Sequence, residues 1–214
     1  MSHFGHRTPI PCPEFKSPVS VLTTELRQVG GTAIVAVQET KTRVLNKGED
    51  PHELGRWAWM LIQGRRGHHT RMVSAHRPNK SLTTAGTVYR QQLCHWRDKN
   101  IFECPIKLFE EHLEEEIKGW MLLGDHLMTG IDANEDVRTG TVAAMMRRLG
   151  LRDLLLDGLL QGTAAPETNI RNTNSMPIDA IFVTPGLMAA IRGFSRCNQM
   201  AMSDHRMPWA DIPN

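Results

Sequence analysis

The sequence lacks any apolar run long enough to cross a membrane. A membrane-spanning helix needs about 20 consecutive apolar residues, and the 214 residues contain no such run. Residues 1–20 also lack the apolar core of a signal peptide. We therefore expect a soluble intracellular protein that does not associate with membranes.

Closely spaced cysteines and a strong net charge are also missing. The chain has four cysteines, none of them in a CxxC pair, which argues against a zinc site and indicates reduced thiols. The formal net charge is only +2. Dedicated nucleic-acid-binding proteins are usually more basic, so this charge permits an anionic partner without requiring one.

The composition itself is that of a folded domain. Hydrophobic residues make up 40% of the chain and charged residues 22%, as in globular rather than disordered proteins. Residues 1–16 contain Pro9, Pro11 and Pro13, and such a segment resists both helix and strand. We predict a flexible tail over residues 1–16 and a folded domain over residues 17–214.

Apolar periodicity predicts alternating strands and helices. Short apolar runs predict strands over residues 33–37, 56–63, 70–76 and 178–183, the middle two forming an antiparallel hairpin. Apolar stripes at helical spacing predict helices over residues 17–29, 82–99, 106–120 and 142–149. The glutamates at positions 110, 111, 114, 115 and 116 are expected to face water. This order predicts an α/β domain, of layered α+β type with mixed sheets.

The most informative stretch runs from Leu127 to Asp136, where an apolar run stops and acidic residues follow. This pattern is typical of a buried strand that ends at a cleft. Asp132 and Asn134 are two positions apart, so on an extended backbone they would point the same way. A carboxylate beside a carboxamide can orient water or hold a phosphate oxygen.

Acidic residues lie at strand ends or inside apolar runs at four positions: Glu39, Asp132, Asp179 and Asp204. Burying an unpaired carboxylate is costly, so we expect these side chains to share one cleft. In that cleft their carboxylate oxygens would hold Mg²⁺ or Mn²⁺, because both ions prefer oxygen ligands. His205 would act beside them in proton transfer or as a donor to a phosphate oxygen.

Each acid also has an ordinary structural interpretation. In this alternative, Glu39 is an acid on the protein surface and Asp179 is paired with an arginine, and neither takes part in a shared cleft. The D-x-N-x-D pattern that begins at Asp132 is that of an EF-hand loop. Val137 stands at its glycine position and Ala143 at its final glutamate position, which excludes an EF-hand.

Five short motifs resemble those of the endonuclease/exonuclease/phosphatase superfamily, the DNase I-like group. They occur in the family's order: VQET at 37–40, AHRPN at 75–79, GIDANED at 130–136, PIDAIFV at 177–183 and SDHRMPW at 203–209. The GRW at 55–57, the HRPN and the final SDHR with its tryptophan are most similar to the retroelement-type endonuclease branch.

The resemblance implies a DNase I-like mixed β-sandwich with flanking helices. It also implies Mg²⁺-dependent hydrolysis of phosphodiester bonds by an endonuclease acting on DNA. Asp132 would then orient the attacking water, and Asn134 would hold the scissile phosphate. Asp179 would pair with His205 and fix its tautomer, and His205 would stabilise the transition state.

The same resemblance assigns metal and substrate contacts. Glu39 would be the principal metal ligand, and Asp204 would complete the metal site. His76, which stands where the family has a tyrosine, and Asn79 would bind substrate. No strand with the family's usual asparagine precedes the VQET motif, so we expect a truncated member that lacks N-terminal strands.

Two other functions stay open beside the endonuclease. A family remnant would keep the fold and at most bind nucleic acid, an interpretation favoured by the missing asparagine strand and by His76. A phosphatase acting on inositol or lipid phosphates would use the same chemistry on another substrate, and the net charge does not separate it from a nuclease.

Overall fold

The computed structural model describes residues 31–64, 67–80, 87–159, 167–169, 176–197 and 205–212. The predicted tail, the helix predicted over residues 17–29 and Asp204 lie outside these residues. The strands are β1 (Val44–Glu49), β2 (Trp57–Gln63), β3 (His69–His76), β4 (His126–Asp132), β5 (Arg152–Asp153), β6 (Asp179–Val183), β7 (Gly193–Cys197) and β8 (Met207–Asp211).

The first six strands form one mixed sheet in the order β1-β2-β3-β4-β6-β5. β3 and β4 run parallel, and the other neighbours in this sheet run antiparallel. β7 and β8 form a separate antiparallel pair. The predicted hairpin is confirmed as β2 and β3, which pair from Trp57 with Ala75 to Gln63 with His69.

Two of the helices and the small strand pair lie on opposite faces of this sheet. The helices are α1 (Glu39–Thr42), α2 (Val88–Asp98), α3 (Pro105–Leu122), α4 (Thr141–Arg148) and α5 (Pro185–Met188), with a π-helical segment over Leu154–Leu159. Phe109 and Ile117 of α3 and Met146 of α4 are buried against Leu127. Met128, the next residue along β4, packs with Phe194 and Ala210 of the strand pair. Successive residues of a strand face opposite sides, so the fold is layered, as predicted.

No described helix combines the length and apolar character that a membrane-spanning helix would need.

The strand predicted over residues 33–37 is wrong. Residues 31–37 have no regular secondary structure, and 80% of Val35 and 62% of Val37 are exposed. An apolar run becomes a strand only if a neighbouring strand accepts its backbone hydrogen bonds. Among the described residues β1 is the outermost strand on this side of the sheet and pairs only with β2, so the run gains no such partner.

The connection between β1 and β2 is built around a buried ion pair. Arg56 donates from Nε to Asp50 Oδ2 at 2.5 Å and from Nη2 to Asp50 Oδ1 at 2.7 Å, and neither side chain is exposed. The guanidinium carbon lies 4.5 Å from the ring centre of Trp57. Its Nη1 lies 3.1 Å from Nδ1 of His112 on α3, so the pair ties this connection to the helical layer.

The environment of His112 predicts a stability that falls in mild acid. Burial, followed by the charges of Arg56 and His52, lowers the pKa of His112 from 6.5 to about 4. The unfolded chain therefore binds this proton first as the pH falls, and the lost stability accumulates from about pH 6.5 down to about pH 4. We expect a loss of about 1 kcal/mol between pH 7 and pH 5, after allowing for solvent screening at a partly exposed ring.

Urea unfolding at the two pH values measures this loss. His112→Asn is the matched variant, because its amide oxygen can still accept from Arg56 but does not titrate. The variant should lose less stability than the parent between pH 7 and pH 5. Some dependence should remain, since the pKa values of His52 and His95 are lowered as well, mainly by burial. An unchanged pH dependence in the variant would contradict the assignment to His112.

Candidate functional site

The ends of three neighbouring strands meet at one edge of the sheet. Parallel pairing of β3 with β4 sets His76 beside Asp132, and antiparallel pairing of β4 with β6 sets Asp132 beside Asp179. The end of β4 therefore lies next to the end of β3 and the beginning of β6. Three polar residues that are distant in sequence become neighbours in the order His76, Asp132, Asp179.

His205 joins this edge from the C-terminal part of the chain. Its Nδ1 lies 3.0 Å from Oδ2 and 3.2 Å from Oδ1 of Asp179. An ionised carboxylate only accepts hydrogen bonds, so Nδ1 carries the proton and Asp179 fixes the tautomer of the ring. In the described part of the chain, Asp179 pairs with this histidine and with no arginine.

Thr168 connects the two segments that carry this pair. Its side chain is fully buried, and its hydroxyl oxygen accepts hydrogen bonds from the backbone N–H groups of Ile178 and Asp179, each at 2.9 Å. Its carbonyl oxygen accepts from the N–H of Arg206 at 2.8 Å. One threonine thus holds the start of β6 against the residue that follows His205.

Asn134 reaches the same edge through a turn rather than along a strand. β4 ends at Asp132, and Asn134 has a φ of 47°, in the left-handed region that asparagine tolerates. Its N–H donates to Asp132 Oδ1 at 3.1 Å, and its Nδ2 donates to the carbonyl of Arg77 at 2.7 Å and lies 3.3 Å from His76 Nε2. The predicted proximity of Asp132 and Asn134 is present, but the extended backbone that we expected between them is not.

The electrostatics of the site centre on Asp132. Burial and then the charge of Asp179 raise the pKa of Asp132 above its ordinary value. Nε2 of His76 lies 3.6 Å from Oδ2 of its carboxylate. Asp132 therefore ionises at some cost, and a proton or a cation at this position would relieve its repulsion from Asp179.

The donor set fits a divalent cation. One ligand atom from each of Asp132, Asp179 and His205 lies within 4.8 Å of the others. No other group of three or more such residues was found in the part of the chain that the structure describes. Two carboxylates with excess negative charge are suitable ligands for a divalent metal ion.

The other predicted site residues are not part of this three-residue group or lie outside the described residues. Glu39 is exposed in α1 and is not in the three-residue group. Asn79 is exposed, three positions beyond the end of β3. Asp204 lies outside the described residues. The metal-binding roles of Glu39 and Asp204, and the substrate contacts of His76 and Asn79, stay predictions.

Two residues that hold the site together were missed from sequence. Thr168 carried no signal, because a threonine in a polar loop is ordinary. Arg77 did carry one: it directly follows a buried strand, inside the AHRPN motif, and only 8% of it is exposed. A charge in such a place needs a partner.

Solved structures show which fold this is, although no family model and no curated protein matches the sequence. The Neisseria 3′ phosphatase NExo, bound to a product DNA hairpin, aligns with a TM-score of 0.51 and 16% identity over 74% of this chain and 65% of its own. The catalytic domain of Xenopus laevis APE2 aligns with a TM-score of 0.53 and 12% identity, over 74% of this chain and 55% of its own. The chain has the DNase I-like fold of endonuclease/exonuclease/phosphatase proteins, as predicted.

The endonuclease domain of the telomere-specific non-LTR retrotransposon TRAS1 also aligns, with a TM-score of 0.49 and 18% identity over 78% of this chain and 68% of its own. That similarity is too low to assign a branch, so the retroelement-type relationship stays a prediction. The chain spans about two thirds of the length of NExo and about half that of the APE2 domain.

Proposed function

We propose that the chain is a metal-dependent phosphodiester hydrolase that cleaves DNA internally. The observation that carries the proposal is the meeting of Asp132, Asp179 and His205, which come from three separate segments. The DNase I-like fold supports it. DNA is the favoured substrate because the similar NExo structure is described as bound to a product DNA hairpin.

Asp132 is the group that prepares the nucleophile. Its carboxylate accepts from the N–H of Asn134 and has no arginine partner among the described contacts, so an oxygen is left to accept a hydrogen bond from water. A carboxylate oriented in this way can accept the proton that the water gives up. Water oriented in this way would attack the phosphorus of the scissile ester.

His205 and Asn134 are the groups that act on the phosphate. With Nδ1–H held by Asp179, Nε2 is the nitrogen through which the His205 ring exchanges a proton with the substrate. The Asn134 amide, fixed by the Arg77 carbonyl, is a neutral donor at the same edge of the sheet. Donors that are already oriented stabilise charge developing in the transition state without reorganising during the reaction.

A divalent cation would be held by the carboxylates of Asp132 and Asp179, with Glu39 and Asp204 as further predicted ligands. When bound, it would supply charge neutralisation at the phosphate and a lowered pKa for bound water. His205 would then serve as the outer partner of Asp179, an arrangement that orients metal-binding carboxylates.

Nicking of supercoiled plasmid tests the proposal. The parent protein should convert supercoiled to nicked circles with Mg²⁺ and should stop in EDTA, and His205→Ala should reduce the rate about 100-fold or more. His69, exposed at the opposite end of β3, gives the matched variant His69→Ala, which should nick at the parental rate. Equal nicking by parent and His205→Ala, purified in parallel, would show a contaminating nuclease.

Thermal unfolding separates an enzyme from a remnant without any turnover. Ligand at ten times its Kd stabilises a protein by about 1.4 kcal/mol, which is about 3–6 °C for a chain of this size. We expect such a rise with Mg²⁺, and a smaller one in Asp179→Asn. If the protein neither nicks plasmid nor gains Tm with Mg²⁺, the fold remnant is the correct alternative.

Hydrolysis of a phosphomonoester is the second candidate. NExo is named both as a 3′ phosphatase and as a 3′-5′ exonuclease, so both kinds of phosphate ester are attributed to a protein of this fold. Release of inorganic phosphate from a 3′-phosphorylated DNA hairpin, with plasmid left intact, would select this candidate. Release from an inositol phosphate alone would select a non-nucleic-acid substrate.

A further inference from the structure

Arg77 lies behind the candidate site, where the connection after β4 meets two helices. Its Nε donates to Glu110 Oε1 on α3 at 2.8 Å, and its Nη2 lies 3.1 Å from Glu135 Oε2. Nη1 donates to the carbonyl of Ala133 at 3.2 Å, and Nη2 lies 3.4 Å from the hydroxyl of Thr141, the first residue of α4. One buried guanidinium thus joins α3, α4 and the residues on both sides of Asn134.

The backbone of Arg77 contacts the reacting residues directly. Its N–H donates to the carbonyl of Asp132 at 2.9 Å, and its carbonyl accepts from Asn134 Nδ2 at 2.7 Å. The main chain of Arg77 therefore orients the Asn134 amide, while its side chain holds Ala133 and Glu135, which flank Asn134. Both sets of bonds restrain the same three-residue turn.

The conformation of this turn is unfavourable, so hydrogen bonds are needed to hold it. Asn134 has a positive φ, which is less favourable than the extended or helical regions. The second carboxylate oxygen of Glu135 is held as well, since Oε1 accepts a hydrogen bond from the N–H of Val142 at 2.7 Å. An arginine suits the position, because its planar group with five donors can bind a carboxylate, a carbonyl and a hydroxyl together, and a lysine cannot match that geometry.

We propose that Arg77 is a positioning residue, which sets the Asn134 amide for the phosphate without contacting substrate. The inference rests on the proposed function, because it concerns the same site. It differs from a general contribution to folding in one respect: the effect of Arg77 on turnover passes through Asn134. Removing Asn134 should therefore remove the catalytic effect of changing Arg77.

Steady-state cleavage of a short DNA duplex by Arg77→Lys and by Asn134→Ala, singly and together, tests this. Arg77→Lys keeps the buried charge, so the protein should fold, while the displaced turn should lower kcat about 10- to 100-fold with KM changed less than about 3-fold. In the Asn134→Ala background the lysine should change kcat less than about 2-fold. The matched control is Arg138→Lys, an exposed arginine of the same connection that pairs with Asp136, and its kcat should be parental.

A spectroscopic measurement keeps the test independent of activity. In ¹⁵N–¹H correlation spectra, the side-chain amide of Asn134 should shift and exchange faster with water in Arg77→Lys, but not in Arg138→Lys. A parent that cuts no DNA, with this shift present, would sink the proposed function and leave the positioning role standing. Unchanged amide signals in Arg77→Lys, or an equal fall of kcat with and without Asn134, would overturn the role of Arg77.

Discussion

Asp132→Asn is expected to abolish most of the nicking activity while making the fold more stable. The carboxylate is the proposed proton acceptor, and loss of a general base lowers rates by about 10²- to 10⁴-fold. Burial and the charge of Asp179 raise the pKa of Asp132, so its ionised form is strained in the native state at neutral pH. An amide of the same shape removes the repulsion, as in other sites where activity and stability oppose each other.

Nicking rates and urea midpoints at pH 7, the latter in EDTA, measure the two effects. Asp136→Asn is the matched control in the same connection. Its hydrogen bonds to Arg138 lower the pKa of Asp136, so the ionised form is stabilised and neutralisation should not raise stability. Nicking by this control should be parental. A lower midpoint for Asp132→Asn than for the parent, or activity within about 3-fold of it, would contradict the proposed environment and role of Asp132.

The meeting of Asp132 and Asp179 was predictable, because strand periodicity and the cost of buried charge are local signals. Asp132 stands where an apolar run ends, and Asp179 opens another. The register of the antiparallel pairing between β4 and β6 then makes these two residues direct neighbours. Two charged residues that interrupt apolar segments are therefore good candidates for a shared site, even when the pairing itself is unknown.

The sequence-based predictions that were wrong depended on contacts with distant parts of the chain, which the sequence does not reveal. The run at 33–37 has the composition of a strand but gains no neighbouring strand among the residues that the structure describes. Glu110 was expected to face water with the other glutamates of α3, yet it binds Arg77, which lies 33 positions away. The i, i+2 argument for Asn134 assumed a strand, whereas the turn after β4 brings it to Asp132 by a positive φ. In each case the tertiary surroundings, and not the local pattern, decide the outcome.

The structural role of Arg56 also depends on a contact that the sequence does not reveal. Arg56 is the central residue of the GRW motif, which contributes to the family resemblance, but its structural role is separate from the site. It and Asp50 are each only 1% exposed, and Arg56 is bonded through two nitrogens to both carboxylate oxygens of Asp50. Burial would raise the pKa of Asp50, but the hydrogen bond and charge of Arg56 outweigh it and lower that pKa.

Arg56→Met is therefore expected to destabilise the protein strongly while leaving the proposed catalytic residues intact. Loss of one partner from a buried ion pair costs about 3–5 kcal/mol, because the other charge is left buried and unpaired. Native domains are stable by only about 5–15 kcal/mol, so the variant should be close to unfolding at 37 °C. Urea unfolding at 15 °C and pH 7 measures the loss.

A double variant identifies the cause. Asp50→Asn added to Arg56→Met removes the unpaired charge, and its amide oxygen can still accept from the N–H of His52, which bonds to Asp50 Oδ1 at 3.0 Å. At least half of the lost stability should return, since apolar or neutral replacements of both partners are tolerated far better than one. Arg148→Met, which breaks the exposed pair with Glu114, should leave the urea midpoint unchanged. A double variant no more stable than Arg56→Met would mean that packing on Trp57 and Trp96, and not the stranded carboxylate, sets the cost.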